Sequence, residues 1–139
     1  MKNPILGIIG GGQLGSLLSV AANRIGIKTV ILSDDEDAPA KNFTEKFIYG
    51  KYDNKSITQE FIDSVDLVTY EFENIPFHIL QSINNEKTVL PKPEINNLIQ
   101  NRLTEKNFLN DINIQTTQYV PIKHICLLYT SDAADECSG

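Results

Sequence analysis

The stretch ILGIIGGGQLGSLLSVAANRIGIKTVILSDDED, residues 5–37, decides the fold. Ile5, Leu6, Ile8 and Ile9 form a short apolar run that stops at Gly10-Gly11-Gly12, as a strand buried on both faces would. The period then changes. Leu14, Leu17, Leu18, Ala21, Ala22 and Ile25 recur at three- and four-residue steps, which predicts a helix with those residues on one apolar face. Gly26 stands where a helix C-terminus wants a residue free to turn left-handed. Thr29-Val30-Ile31-Leu32 is a second β-branched run, ending in the cluster Ser33-Asp34-Asp35-Glu36-Asp37. Strand, helix and strand joined by short connections make a βαβ unit, whose crossover is right-handed in nearly every protein.

Downstream, the alternation continues. Phe47-Ile48-Tyr49 reads as a third strand. Ser56-Ile57-Thr58-Gln59 has the form of a capping box and opens a helix carrying Ile57, Phe61, Ile62 and Val65. Leu67-Val68-Thr69-Tyr70 is a fourth strand that runs into Glu71-Phe72-Glu73. Asn74 is placed to cap a further helix, with Pro76 in its first turn and Phe77, Leu80 and Ile83 on one face. Val89-Leu90 is a short strand ended by Pro91 and Pro93. A single longer helix is expected from Glu94 to about Asp111, with Ile95, Leu98, Ile99, Leu103 and Phe108 on its apolar side. The fold class is therefore α/β: an open parallel, Rossmann-like sheet over residues 1–93, then a helix leaving it.

Composition narrows the function. The chain has 139 residues, a net charge of −6 and 41% hydrophobic residues, as in an ordinary globular domain. An acidic balance argues against a nucleic-acid surface, which needs clustered Lys and Arg. No apolar run reaches the roughly 20 residues that span a bilayer, and the N-terminus does not read as a signal peptide. Cys126 and Cys137 lie close together at the far end and give no disulfide framework. The expected location is the cytoplasm.

Three segments carry chemistry. Gly10-Gly11-Gly12-Gln13-Leu14-Gly15 matches G-x-G-x-x-G between a strand and a helix. Such a loop turns tightly and presents free N–H groups to an anion. Asp34, 19 residues after Gly15, lies where a dinucleotide fold places its ribose-binding acid. A nicotinamide or flavin dinucleotide, another phosphate ligand, or mere close packing of the helix all fit this loop. Glu71, Glu73 and Asn74 lie beyond the carboxyl end of the fourth strand, where open α/β sheets bind ligands. They suit an amine or ribose hydroxyls, or else a solvated turn. Arg102 and Lys106, four residues apart, share a helix face that fits a polyphosphate or simply solvent. His78 follows Phe77 on a helix and reads as a surface residue, and His124 with Cys126 makes a poor metal site.

Taken together, GIIGGGQLG, Ala38-Pro39-Ala40, DLVTYEFENIP, the P-x-P at Pro91 and QNRLTEKNFL resemble the 5-(carboxyamino)imidazole ribonucleotide synthases, the PurK-type family of the ATP-grasp superfamily. The resemblance runs from residue 5 to about 121. It implies a pre-ATP-grasp domain that binds no dinucleotide. It further implies that Gly12, Gln13 and Leu14 contribute to the phosphate pocket for aminoimidazole ribonucleotide. Glu73, with Glu71 less favoured, would lie near the ribose or the amine, and Arg102 would reach ATP. Asp34 is then left without a duty. The implied reaction joins bicarbonate to the ribonucleotide amine with ATP and Mg²⁺, in a cytoplasmic enzyme that forms a homodimer and uses neither nucleic acid nor membrane.

The same resemblance leaves the ATP-grasp domain missing. Expected boundaries are 1–93 for the sheet domain, 94–125 for the linker helix and the start of the ATP-grasp domain, and 126–139 for a tail. Cys126 to Glu136 reads CLLYTSDAADE, which is identified as the translation of a transposase adapter used in sequencing libraries, and so as non-native sequence. Without residues 126–139 the net charge is −3 rather than −6, and no cysteine remains. A small NAD(P)- or nucleotide-binding module without catalysis is the rival reading.

Overall fold

The structure is a computed structural model that describes residues 3–72 and 74–120. Four strands, β1 (Ile5–Ile9), β2 (Lys28–Ser33), β3 (Lys46–Tyr49) and β4 (Leu67–Tyr70), form one parallel sheet in the order β3-β2-β1-β4. β1 is central. Its Ile8 is opposite Ile31 on one side and Thr69 on the other. The sheet places the carboxyl ends of β1, β2 and β4 side by side, with the glycine loop leaving the middle one.

Each face of the sheet has its own core. Ile9, Val30, Leu32 and Val68 face α2 (Lys55–Asp63) and α3 (Phe77–Asn84), burying Phe61, Ile62, Leu80 and Ile83 among them. Ile8 and Ile31 point the opposite way, as period-two alternation requires, and meet Ala40 in a short 3₁₀ turn, Pro39–Asn42. Phe61 is fully buried, and its ring reaches β1 where Gly7 has no side chain: a Cβ there would lie 2.6 Å from Phe61 Cζ.

Several sequence expectations need correction. α1 (Gln13–Arg24) forms, but it does not bury the leucine face. Gly15, Ser16, Ser19 and Ala22 are the buried residues, whereas Leu14, Leu17 and Ile25 are 58%, 59% and 75% exposed. The reason is distance. A Cβ on Gly15 would be 2.6 Å from the Gly10 carbonyl oxygen, so α1 approaches its neighbours too closely for large side chains. α2 is capped by Asn54, whose Oδ1 accepts from the Ser56 and Ile57 N–H groups, rather than by a Ser56 box. α3 begins at Phe77 with Pro76 at its cap position, so Pro76 is not within the first turn. Val89 makes only an isolated parallel bridge to Val68 and starts no strand.

The expected long helix is two. α4 (Pro93–Ile99) stops, and α5 (Arg102–Asp111) begins after Asn101, whose side chain accepts from the Leu103 and Thr104 N–H groups. A capping asparagine satisfies the new helix's orphan donors, which is why the chain breaks there. The chain divides into two compact units, 1–100 and 101–139. In the second unit, the segment after α5 is tied back onto it: Lys106 Nζ donates to Thr117 Oγ1 at 2.8 Å, and Tyr119 OH donates to Asn107 Oδ1 at 2.6 Å. α5 buries no residue. Glu73 and the whole 126–139 tail, with His124 and both cysteines, lie outside the described residues.

Candidate functional site

Gly10 leaves β1 with φ +110°, a left-handed conformation that costs a side-chain-bearing residue strain. Its N–H still donates to Leu32 O at 2.9 Å, so the turn is anchored to β2 before the chain departs. Gly11 packs where a Cβ would meet Ala38 Cβ at 2.6 Å, and its carbonyl accepts from the Ala40 N–H at 3.0 Å. Gly12 is the cap residue of α1 and has no side chain to offer. Its N–H donates instead to Glu71 Oε1 at 3.0 Å, across 59 residues of chain. Its carbonyl accepts from both N–H and Oγ of Ser16.

Glu71 follows β4 and extends the ladder by one bond, its N–H donating to Ile9 O at 3.1 Å. The carboxylate therefore comes from a backbone fixed by the sheet. At the other end of this acidic segment, Ile75 is fully buried, and its carbonyl accepts from Asn96 Nδ2 at 3.2 Å and Gln100 Nε2 at 2.7 Å. α4 thus holds the segment's end as β1 holds its start.

A cleft of about 260 Å³ lies at these strand ends, bounded by the glycine loop, Ser33, Asp34, Tyr52, Glu71 and Phe72 among others. Three carboxylates line it (Asp34, Asp35 and Glu71), and among the described lining residues there is no Lys, Arg or His. Gln13 and Leu14 adjoin the cleft in sequence but do not line it; both are exposed. Their N–H groups belong to the first turn of α1, which a helix leaves without intrahelical partners. Arg102 belongs to the second unit, where its Nη1 is 2.8 Å from Glu105 Oε2. Among the described residues no group of three or more His, Cys, Asp or Glu is placed to hold a metal ion. His78 is exposed on α3.

Sequence reasoning missed Tyr52. Its hydroxyl donates to Asp34 Oδ1 at 3.2 Å, so the acid at the dinucleotide position already has a protein partner. Burial, and then the neighbouring Asp34 charge, pushes the Tyr52 phenol well above its ordinary value. Burial also raises Tyr70. A raised phenol favours the folded state while it stays neutral. That stabilisation is complete below pH about 10, where unfolded tyrosine titrates, and is lost as pH rises towards the higher folded value. Phenolate absorbance during an alkaline titration should show late-ionising tyrosines, with Tyr52→Phe removing one of them. Ionisation of every tyrosine together near pH 10 in the folded chain would contradict this.

Residues 1–100 match the ribonucleotide synthetase preATP-grasp domain family. The chain belongs to that family. Over 114 residues the pre-ATP-grasp chain is 40% identical to the N5-carboxyaminoimidazole ribonucleotide synthase of Brucella melitensis, covering 82% of this chain and 32% of that one. The Staphylococcus aureus N5-carboxyaminoimidazole synthetase, solved with ADP, superposes with a TM-score of 0.84 at 32% identity, over 98% of this chain and 36% of that chain. An Aspergillus clavatus synthase solved with ADP and 5-aminoimidazole ribonucleotide has a TM-score of 0.81 at 22% identity, a likeness of fold alone. The chain therefore spans about a third of the length of the relatives it matches. No helix among the described residues is long and apolar enough to cross a membrane.

Proposed function

We propose that this chain is the substrate-side part of an N5-carboxyaminoimidazole ribonucleotide synthase. The observation that carries the reading is the meeting of two distant motifs: the glycine loop and the acidic segment after β4 share one cleft at the strand ends. In this reading Gly12, Gln13 and Leu14 form the loop side of a phosphate pocket for aminoimidazole ribonucleotide. Glu71 occupies the Gly12 N–H, so the donors left for a phosphate are the first-turn N–H groups that follow it. Glu73 lies near the ribose or the amine, and Arg102 reaches ATP. The described lining of the cleft supplies N–H groups but no Lys, Arg or His, so in this reading the counter-charge for the phosphate comes from outside those residues.

The proposed reaction has two parts. A bicarbonate oxygen attacks the γ-phosphorus of ATP, releasing ADP and forming carboxyphosphate. The ribonucleotide amine then attacks the carboxyl carbon, phosphate leaves, and the amine gives up a proton. Phosphoryl transfer depends mainly on positioning and charge neutralisation. The complete enzyme acts in the cytoplasm as a homodimer with Mg²⁺, and the 139-residue chain alone is inactive.

Steady-state assays test this directly. The full-length protein should hydrolyse ATP only when both aminoimidazole ribonucleotide and bicarbonate are present, and the 139-residue chain should not. Tight NAD(H) binding by the chain, abolished by Asp34→Ala, would instead establish the dinucleotide module. Ribonucleotide-dependent turnover by the 139-residue chain alone would refute the claim of inactivity.

A further inference from the structure

We propose that Glu71 is a positioning residue, whose carboxylate fixes the glycine turn at the distance from β4 that the ribonucleotide site requires. This rests on the synthase reading above. The contact is not a casual surface bond. Glu71 Oε1 accepts from the Gly12 N–H at 3.0 Å, while the Glu71 N–H is itself held by Ile9 O at 3.1 Å. The loop and the acid are thus tied at both backbone and side chain. The glycines are shaped around that side chain. A Cβ on Gly10 would lie 2.8 Å from both Glu71 Cγ and Oε1, and a Cβ on Gly12 would lie 3.1 Å from Oε1.

Two of the three loop glycines therefore make room for the carboxylate as well as for any ligand. α1 has no acid in its first turn and no capping side chain of its own, so Glu71 supplies from a distant strand the anion that its N-terminus favours. Only one of its oxygens is needed for this work, and an amide oxygen at the same place accepts the same bond. That separates positioning from direct chemistry on the substrate, which would require the charge.

Glu71→Leu and Glu71→Gln in the full-length protein distinguish these roles. Glu71→Leu should raise KM for aminoimidazole ribonucleotide about 10- to 100-fold, the scale of loss from misplacing a binding group, while KM for ATP stays put. Glu71→Gln should return that KM to within about fivefold of the wild type, the gap between a charged and a neutral acceptor. Amide exchange of Gly12, measured in the 139-residue chain, should quicken about tenfold or more in Glu71→Leu with the β1 amides unchanged. If Glu71→Gln damages KM as much as Glu71→Leu, the carboxylate acts on the ligand and the proposal falls. It also falls if Gly12 exchange is the same in all three proteins. A wild type that neither binds nor turns over the ribonucleotide would remove the synthase reading, and with it the site that Glu71 is proposed to position; the exchange measurement would still report the clamp itself.

Discussion

Replacing Phe61 by alanine should cost about 3–5 kcal/mol, which is a large part of the total stability of a small domain. Phe61 is fully buried on α2, and its ring sits against the bare backbone of Gly7 on the central strand. Loss of the ring leaves a space that Gly7 cannot fill, because it has no side chain to relax into it. Val65 Cγ1 lies 3.0 Å from the same notch and is itself 2% exposed, so it is already packed. Phe61→Leu keeps most of the volume and should cost well under half as much. Urea unfolding of the 139-residue chain, followed by circular dichroism, gives both values. A loss below about 1 kcal/mol for Phe61→Ala would mean that the notch closes by sheet movement, contrary to the packing described.

The elements that periodicity identifies best are those whose apolar residues face a sheet at ordinary distance. β1 and β2 carry apolar residues on both faces, Ile9, Val30 and Leu32 in the core beneath α2 and α3, and Ile8 and Ile31 against Ala40 of the 3₁₀ turn. Phe61 and Ile62 on α2, and Leu80 and Ile83 on α3, lie inward as their spacing predicts. α1 inverts the rule because close approach selects small residues, and a pattern search reads Gly15, Ser16 and Ser19 as the solvent side. The break after Ile99 was masked by apolar residues that keep helical phase across it, although Asn101 carries the capping signal.

The site was legible as two motifs but not as one object. Nothing in a single sequence ties Gly12 to Glu71 across 59 positions, because parallel strands bring distant segments together through topology. The engagement of Asp34 by Tyr52 is hidden for the same reason. Tyr52 lies in the loop after β3, and the parallel pairing of β2 with β3 brings the two strand ends together.

α1 supplies the sharpest test of this inverted packing. Gly15→Val should destabilise the chain by about 3 kcal/mol, near the upper end for overpacking. The new Cβ would stand 2.6 Å from a backbone oxygen, which cannot rotate aside as a flexible side chain can. The helix must therefore lift from the Gly10 turn. Such movement also shifts the Gly12 N–H relative to Glu71, so loss of stability and faster Gly12 exchange should appear together. Valine's helix propensity exceeds that of glycine, so the backbone preference within α1 works against the predicted loss and cannot produce it. Leu17→Ala is the matched control on the opposite face. Leu17 is 59% exposed, so its truncation should change stability by no more than about 0.5 kcal/mol. Amphipathic periodicity predicts the reverse order, with Leu17 as a core residue worth several kcal/mol and position 15 as a tolerant surface site. Thermal and urea unfolding of the two variants therefore decide which face of α1 meets the sheet. A Leu17→Ala loss exceeding that of Gly15→Val would overturn the packing described for α1 and, with it, the close approach that gives the glycine loop its shape.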